Sequence, residues 1–483
     1  LIVSVLVIAS LALTACGPTE TEAPAAEESA AEEEAMEEEA EEVVEEEAEE
    51  PAEEEAEESD TGAPVEIRWF IGLGAGGNPE EIEREEAFVE KFNAKYGDKY
   101  QLVMDVVPNE TAYDVLKTQI AAGDVPDIVG PVGIRGLASF EGAWLDLSPY
   151  IQADSYDLSD FDPALLEFYK FGTDSQLFIP LSVFPSALFY NKDLFDEAGL
   201  EYPPHEWGAP YADGDAWTFD KLRELAIYLT VDENGNDPTM EGFDPDNIVQ
   251  FGYDALWQDI RARWTYFGAA SFVDEDGNAV MPEVWREAAH WYYKGMWEDY
   301  FIPNDSYVNS DLLAQGNPFG SGHTAMAAVN LWYNCCTEDV DWDVAAIPSY
   351  KGNMVSKLHA DTFGILKAVD NPDAAWEVYS ILMDEFAGDL VEVYGAFPAR
   401  QSLQDDAVAN LQERFPGVDF QVFVDGLAYP DDPSHESGMP NFLKAADTYS
   451  TFASKYQSTP GLDLDAELDA MIAEMQEVFD EVE

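Results

Sequence analysis

The stretch from Ala187 to Leu200 decides the fold and reads Ala-Leu-Phe-Tyr-Asn-Lys-Asp-Leu-Phe-Asp-Glu-Ala-Gly-Leu. Its apolar start, Leu188 to Tyr190, predicts a short buried strand. Asn191 offers a side-chain oxygen that can accept from an early backbone N–H, which is typical of a helix N-cap. Gly199 is typical of the left-handed residue that ends a helix. The stretch therefore predicts a strand that leads directly into a short helix.

The chain on either side of this stretch alternates between strand and helix patterns. Thr218 predicts the N-cap of a second helix, whose inner face carries apolar residues at Leu222, Leu225, Ala226 and Leu229. Upstream, the patterns predict strands at 65–71, 100–107 and 125–129, and helices at 79–96 and 113–122. Strands that alternate with helices favour parallel strand pairs. The fold class predicted from the sequence is therefore α/β.

Several strings of the sequence resemble one known family in its own order. They are "IAAGDVPDIV" from Ile120, "WLDLS" from Trp144, the stretch from Ala187, "GSGHTAMAAVNLW" from Gly320, "HADTFGIL" from His359 and "DNPDAAWEVYSILM" from Asp370. Together they resemble the bacterial extracellular solute-binding proteins that serve sugar-type ABC importers, a family similar to maltose-binding protein. The resemblance covers, with gaps, Val65 to the end of the chain.

The resemblance implies a two-lobed periplasmic-binding-protein fold of type II. Each lobe would be a mostly parallel sheet flanked by helices, and the lobes would be joined by hinge crossings. We expect lobe 1 to comprise residues 65–182 and 350–395, and lobe 2 to comprise residues 183–349 and 396–483. The ligand would bind in the cleft between the lobes, with the Gly-rich loop of residues 72–77 at its mouth.

The start of the chain predicts export. An apolar run over residues 1–13 is followed by Leu13-Thr14-Ala15-Cys16, which reads as a signal peptide and cleavage site. The pattern resembles a bacterial lipobox, so we expect residues 1–16 to be a lipoprotein signal with Cys16 as the lipidated residue. An ordinary signal peptide with an incidental Cys16 is the alternative. The basic segment that usually precedes such a run is missing, which predicts that the sequence starts inside the signal.

Residues 17–64 are rich in Glu and Ala and carry almost no apolar or basic side chains. Such a composition cannot bury enough surface to offset its ordering entropy, so it predicts a disordered tether. A functional acidic tail is the alternative.

The formal net charge of the whole chain is −78, which argues against nucleic acid or anionic lipid as partners. A cationic ligand is allowed, and a saline habitat would explain the same charge.

The sequence does not predict catalysis, a metal site or a cofactor. No carboxylate pair stands out by position, and no Gly-x-Ser-x-Gly elbow is present for a serine nucleophile. The five His residues show no metal-ligand spacing. The segment from Asp274 to Asn278 is better interpreted as a hairpin turn than as a calcium loop.

The candidate ligand-binding residues come from the resemblance. A sugar is held by aromatic faces and by planar polar groups that make paired hydrogen bonds. The positions that match are Phe70, Arg135, Phe184, Asp259, Trp264, Trp332, Asp361 and Arg400. Trp332 would stack on the ligand, whereas each other aromatic residue can equally belong to the core. Arg400 can be a ligand or part of an ion pair that fixes the hinge.

The resemblance, together with the lipobox-like start of the chain, implies an extracytoplasmic, membrane-anchored substrate-binding lipoprotein of an ABC importer. We expect it to be monomeric, to bind a mono- or oligosaccharide and to contact the permease subunits of the transporter. A binding protein for a polyamine or another cationic solute is one alternative. A secreted glycan hydrolase is the other.

Cys335 and Cys336 are adjacent in the sequence and lie three residues past Trp332. With Cys16 expected to carry lipid, neither has another cysteine to pair with. Thiols outside the cytosol tend to oxidise, so the two can close a vicinal disulfide. The alternative is two buried thiols that pack as small hydrophobic groups.

Overall fold

The computed structural model describes residues 63–170, 173–431 and 439–481. The predicted signal, with Cys16, and residues 17–62 of the predicted tether lie outside the described residues. Within the part of the chain that is described, no helix has the length and apolar character needed to cross a membrane.

Eleven strands form in the described chain. Their bounds are β1 Val65–Ile71, β2 Tyr100–Val106, β3 Ile128–Val132, β4 Ile179–Asn191, β5 Val231–Asp232, β6 Ile248–Gln250, β7 Asp254–Ala255, β8 Met326–Asn330, β9 Trp342–Ala345, β10 Leu358–Gly364 and β11 Phe397–Pro398.

Sixteen α-helices accompany them in the described residues. Their bounds are α1 Pro79–Tyr96, α2 Asn109–Ala122, α3 Ile134–Ser139, α4 Ser148–Asp154, α5 Pro163–Phe168, α6 Lys192–Ala198, α7 Phe219–Tyr228, α8 Ile260–Thr265, α9 Glu283–Trp297, α10 Asp305–Val308, α11 Pro372–Glu385, α12 Ala387–Val393, α13 Gln404–Arg414, α14 Gln421–Gly426, α15 Phe442–Ser458 and α16 Leu464–Phe479. Short 3₁₀ turns occur at Asp311–Leu313, Leu331–Cys336 and Gln401–Leu403.

The caps predicted from the sequence are present. The side chain of Asn191 accepts from the Leu194 N–H at 3.3 Å, and that of Thr218 accepts from the Lys221 N–H at 3.3 Å. Gly199 ends α6 with φ 66°, a left-handed conformation that costs glycine little. The short helix and both of its caps are therefore confirmed, whereas the strand before them is longer than the predicted short strand at Leu188 to Tyr190.

One sheet runs through the molecule in the order β2-β1-β3-β10-β4-β8-β7, with β9 and β11 also paired to β4. The predicted parallel pairs are confirmed where β1 pairs with β2 and with β3. The central strands differ, because β10 is antiparallel to both β3 and β4, and β4 is antiparallel to β8 and β9. The sheet is therefore parallel at one side and antiparallel at its centre.

Strand β4 is the element that both halves of the sheet share. It is 13 residues long and buried throughout. Up to Pro185 it pairs with β10, and from Ser186 onwards it pairs with β8 and β9. The change of partner occurs next to Phe184, so this point of β4 is the first crossing between the two halves. The division of the chain into lobes at particular residues stays a prediction.

Two large hydrophobic clusters pack against these strands. The larger contains Phe70 and Phe363 and lies around β1, β3 and β10. The second contains Trp264 and Trp285 and lies around α7, α8, α9, α15 and α16. Leu188 and Tyr190 of β4 belong to the second cluster, whereas Phe189 between them belongs to the first. This alternation follows the two-residue period of a strand, so β4 contributes one face to each core.

Candidate functional site

A cavity of about 420 Å³ lies beside the crossing on β4. Three of the predicted ligand-binding residues, Phe184, Trp332 and Asp361, line it together. The rest of its wall is formed by Gly74, Ala75, Gly77, Asn78, Glu81, Arg84, Asn334, Cys335, Val393, Tyr394, Gly395 and Arg414. Aromatic and polar groups therefore meet in one half-open cavity.

The three predicted residues converge because neighbouring strands carry them. Phe184 lies at the change of partner on β4, and Asp361 lies on β10 opposite Ser182. Trp332 follows the end of β8, which pairs with the other half of β4. The rings of Phe184 and Trp332 meet edge to face with their centroids 5.4 Å apart. Trp332 also contacts the ring of His359 edge to face at 4.5 Å.

Asn330 fixes the crossing from inside the core. Its fully buried side-chain amide donates to the carbonyl oxygens of Phe184, at 2.5 Å, and of Lys357, at 3.0 Å. Its side-chain oxygen accepts from Nε2 of Gln258 at 2.6 Å. A single side chain thus joins β4, β8 and the approach to β10 just before Trp332. Sequence patterns did not single out Asn330, because a buried amide leaves no periodic signal.

The Gly-rich loop after β1 forms another wall of the cavity. A Cβ atom at Gly74 would come within 2.7 Å of the Pro131 carbonyl oxygen and 3.3 Å of a carboxylate oxygen of Asp361. Gly76 has φ 97°, and a Cβ atom there would come within 2.3 Å of Oε1 of Glu85. Only glycine allows this close approach. The loop therefore lines the cavity, as the resemblance implied.

Two carboxyl groups near this loop have raised pKa values. Burial raises the pKa of Asp361 to about 6, although the backbone N–H of Ala75 opposes the shift. Burial also raises the pKa of the fully buried Glu85 to about 8, while the Tyr394 hydroxyl donates to its Oε1 at 3.0 Å and opposes the shift. Protonated at neutral pH, Glu85 supports the loop without placing a charge beneath it.

Replacing Glu85 with glutamine is expected to make the protein more stable at alkaline pH. The folded-state pKa lies above the ordinary value of 4.5, so the wild-type protein loses stability as pH rises from about 4.5 to above 8. Glutamine cannot ionise and escapes this loss. The free energy of unfolding of Glu85→Gln should exceed that of wild type by on the order of 2 kcal/mol at pH 9, with little difference at pH 5.

Urea unfolding at the two pH values measures this effect. Glu86→Gln is the matched control, because Glu86 is the next residue on α1 and is exposed. It should change neither value. A stability gain in Glu85→Gln that is the same at pH 5 and pH 9 would contradict the assignment of a buried, proton-binding carboxyl group.

The other predicted residues lie outside the cavity wall. Phe70 on β1 and Trp264 on α8 are fully buried in the first and second core clusters, respectively. Asp259 is the N-cap of α8 and accepts from the Ala262 N–H at 2.7 Å. Arg135 is exposed on α3, with its guanidinium 5.5 Å from the ring of Tyr113. The structure does not bring these four side chains together.

Arg400 takes part in an ion-pair network. Its guanidinium bonds to the Asp384 carboxylate, donates to the Tyr156 hydroxyl at 2.9 Å and lies 3.7 Å from the Asp160 carboxylate. It also lies over the ring of Phe161 at 4.7 Å. Of the two roles left open by the sequence, these contacts match the ion pair.

The cavity also contains residues that the sequence analysis missed. Glu81 accepts from the Gly76 N–H at 2.8 Å and thereby orders the loop. Asn334 donates to the Leu331 carbonyl oxygen at 2.7 Å and to that of Gly395 at 3.4 Å. The capping-box spacing of Asn78 and Glu81 was the one signal that could have drawn attention to this wall.

A larger cavity of about 810 Å³ lies next to the first, between α1, α12 and α13. It shares Arg84, Val393, Gly395 and Arg414 with the smaller one. Eight of its 19 wall residues are charged, and Phe88 is its only aromatic wall residue. The smaller cavity, with Phe184 and Trp332, is therefore better suited to an apolar sugar face.

Within the described residues, no group of three or more His, Cys, Asp and Glu side chains could hold a metal ion. The geometry is that of a half-open cavity at a strand crossing. Comparison with known proteins gives the family. The sequence pattern of the bacterial extracellular solute-binding proteins matches residues 78–383.

The chain belongs to that family.

A relative of this solute-binding protein is a candidate binding protein of Brucella abortus (strain 2308). It is 26% identical over 361 residues, which cover 66% of this chain and 78% of the relative. The family is one of binding proteins and not of enzymes, and its members act outside the cytoplasm.

Solved structures show the same fold. One is an ABC substrate-binding protein of Listeria monocytogenes in complex with cycloalternan, with a TM-score of 0.64 and 20% identity over 85% of this chain and 99% of that one. Another is the sugar-binding protein MalE of Xanthomonas citri, with a TM-score of 0.64 and 17% identity over 86% of this chain and 97% of that one. The fold of this solute-binding protein is thus the two-lobed periplasmic binding fold.

Proposed function

We propose that this solute-binding protein captures a mono- or oligosaccharide in the 420 Å³ cavity and delivers it to an ABC importer. One observation carries the proposal: Phe184, Trp332 and Asp361 come from three separate parts of the chain and line one cavity at the strand crossing. Two aromatic faces and a carboxyl group are what a sugar's CH surface and hydroxyl rim require.

The balance of charge in the cavity supports a neutral ligand. Glu81 and Asp361 are acidic, whereas Arg84 and Arg414 are basic, and all four line the wall. The chain as a whole has a formal net charge of −78, which favours a polyamine as the second candidate. We favour the sugar because the cavity itself contains arginine side chains that would repel a cation.

The similar proteins support the same choice. The Listeria monocytogenes structure contains cycloalternan, and the Xanthomonas citri protein binds sugar.

We further propose that the protein is a monomer without catalytic activity or nucleic-acid partners. Lipid on Cys16 would anchor it outside the membrane, where it would meet the permease subunits. Cys16→Ser should then move the protein from the membrane fraction to the soluble fraction.

Titration calorimetry of the full chain carrying Cys16→Ser tests the proposed ligand class. Maltotriose, mannotriose and cycloalternan form one arm, and spermidine and putrescine form the other. We expect saturable binding of at least one saccharide, which is recovered unchanged after incubation. Binding of a polyamine alone would favour the second candidate, and release of smaller saccharides would favour a hydrolase.

A further inference from the structure

The structure pairs Cys335 with Cys336 in a vicinal disulfide at the wall of the cavity. We propose that this disulfide is part of the ligand-contact surface and extends the apolar face of Trp332. The proposal rests on the proposed function and assigns the disulfide a role in binding the CH face of the sugar. The family resemblance contains no such pair.

The 3₁₀ turn from Leu331 to Cys336 gives the geometry. A 3₁₀ helix has three residues per turn, so side chains at positions i and i+3 eclipse each other. Trp332 and Cys335 are separated by three positions, and both line the cavity. The backbone therefore places the sulfur of Cys335 in line with the indole, on the side that faces the ligand.

The rest of the turn is held in place by hydrogen bonds and burial. Tyr333 is fully buried, and its hydroxyl accepts from the Gly320 N–H at 2.8 Å. The buried side chain of Asn334 donates to the Leu331 carbonyl oxygen at 2.7 Å. Cys336 is partly buried and packs against the larger core cluster, whereas Cys335 is exposed to the cavity. One sulfur is thus anchored in protein while its partner faces the ligand.

Oxidation changes the chemical groups that this surface presents to a ligand. Each reduced cysteine has a rotatable S–H group that is a weak donor, whereas the disulfide has no donor and no free rotor. Its sulfur atoms are polarizable and pack well against apolar groups. A surface that is already ordered costs less entropy when a ligand binds. The oxidised pair is therefore the better contact for a CH face.

The disulfide forms by exchange with an extracytoplasmic disulfide donor. One cysteine thiolate attacks a sulfur of the donor and releases the first donor thiol, which gives a mixed disulfide. The second cysteine thiolate attacks that mixed disulfide, closes the Cys335–Cys336 bond and releases the second donor thiol. The two cysteines lose two protons and two electrons, and the donor gains both. A dithiol reductant reverses the exchange and becomes a cyclic disulfide.

The test uses the full chain with Cys16→Ser, which leaves Cys335 and Cys336 as its only cysteines. Intact mass after export to an oxidising compartment should be about two daltons below that of the fully reduced protein, because two hydrogens are lost. Two thiols that alkylate in denatured, unreduced protein would overturn the proposal.

Affinity is then measured for maltotriose and mannotriose with oxidised protein, with protein reduced by a dithiol, and with Cys335→Ser/Cys336→Ser. We expect the reduced and doubly substituted forms to bind about fourfold more weakly or worse, the effect of losing roughly one methylene-sized apolar contact. Bound sugar should also slow reduction of the disulfide. Reduction of the wild-type pair requires no substitution, so the result stands even if the serine variant folds poorly.

The outcomes separate this inference from the proposed function. Equal affinity of all three forms for a sugar, with no slowing of reduction, would overturn the disulfide contact and leave sugar binding intact. No binding of any saccharide by the oxidised protein would overturn both. Near-ultraviolet circular dichroism of each form checks that its tertiary structure is retained.

Discussion

Replacing Trp332 with alanine is expected to weaken sugar binding at least tenfold while the protein stays folded. The indole is half-buried at the cavity wall and is supported edge to face by Phe184 and His359. An aromatic ring that stacks on a ligand contributes on the order of 1 kcal/mol beyond the apolar area that it buries. Both contributions are lost in alanine, and titration calorimetry measures the change.

Tyr228→Ala is the matched control for this variant. Tyr228 ends α7, is 52% exposed and lies outside the cavity wall. Its replacement should leave both the affinity and the unfolding midpoint unchanged. If Trp332→Ala bound maltotriose or mannotriose as tightly as wild type, the indole would be a packing residue and the cavity would not be the sugar site.

Replacing Trp264 with alanine is expected to lower the free energy of unfolding by about 3–5 kcal/mol. The indole is fully buried in the second core cluster, where it meets Phe272 and Phe452 at centroid distances of 6.3 Å and 6.1 Å. Alanine leaves a cavity that a close-packed core closes only in part. Urea unfolding with circular dichroism measures the loss.

This variant also decides the role that the resemblance assigned to Trp264. If Trp264 is a core residue, the variant protein should be less stable, while the fraction that remains folded should bind ligand with unchanged affinity. A ligand-binding residue should instead lose affinity at unchanged stability, and that result would contradict the packing described here. Trp332→Ala and Trp264→Ala are therefore expected to show opposite patterns in the same two assays.

Local features of the fold could be predicted because neighbouring residues determine them. The caps at Asn191 and Thr218 and the strand at Val65–Ile71 follow from hydrogen bonding and periodicity within a few residues. The length of β4 could not be predicted. Its 13 residues are buried on both faces, so the two-residue alternation that marks a strand is absent.

The exact ends of some strands and helices could not be predicted from the sequence either. The third strand begins at Ile128 rather than Val125. The Asp127 carboxylate accepts from the backbone N–H of Arg68 at 2.8 Å, and this side-chain contact comes just before the first strand residue. Helix α2 begins at Asn109, four residues before Tyr113. Both differences depend on contacts or turns that periodicity does not register.

The candidate site was predicted in part for a similar reason. Trp332 and Asp361 lie in strings that resemble the family, and Phe184 lies at the crossing just before another; the strand order then brings the three together. Phe70 was matched to the family by its place at the end of the first strand and Trp264 by its place on an aromatic stretch, and such a place does not say on which side of a strand or helix a ring lies. Asn330 and Glu85 act through burial, which composition and spacing do not encode.

Strand β4 also bears on the order in which a ligand would contact the two lobes. Its partner changes from β10 to β8 beside Phe184, so we expect rotation of one lobe against the other to pivot there. Atoms near a pivot travel least, whereas atoms at the rims of the lobes travel furthest. If the cavity binds the solute as we propose, Phe184 and Trp332 lie near the pivot, and we expect the ligand to contact them before the lobes close. We expect contacts from the rims of the lobes to form afterwards and to set the rate at which the ligand dissociates.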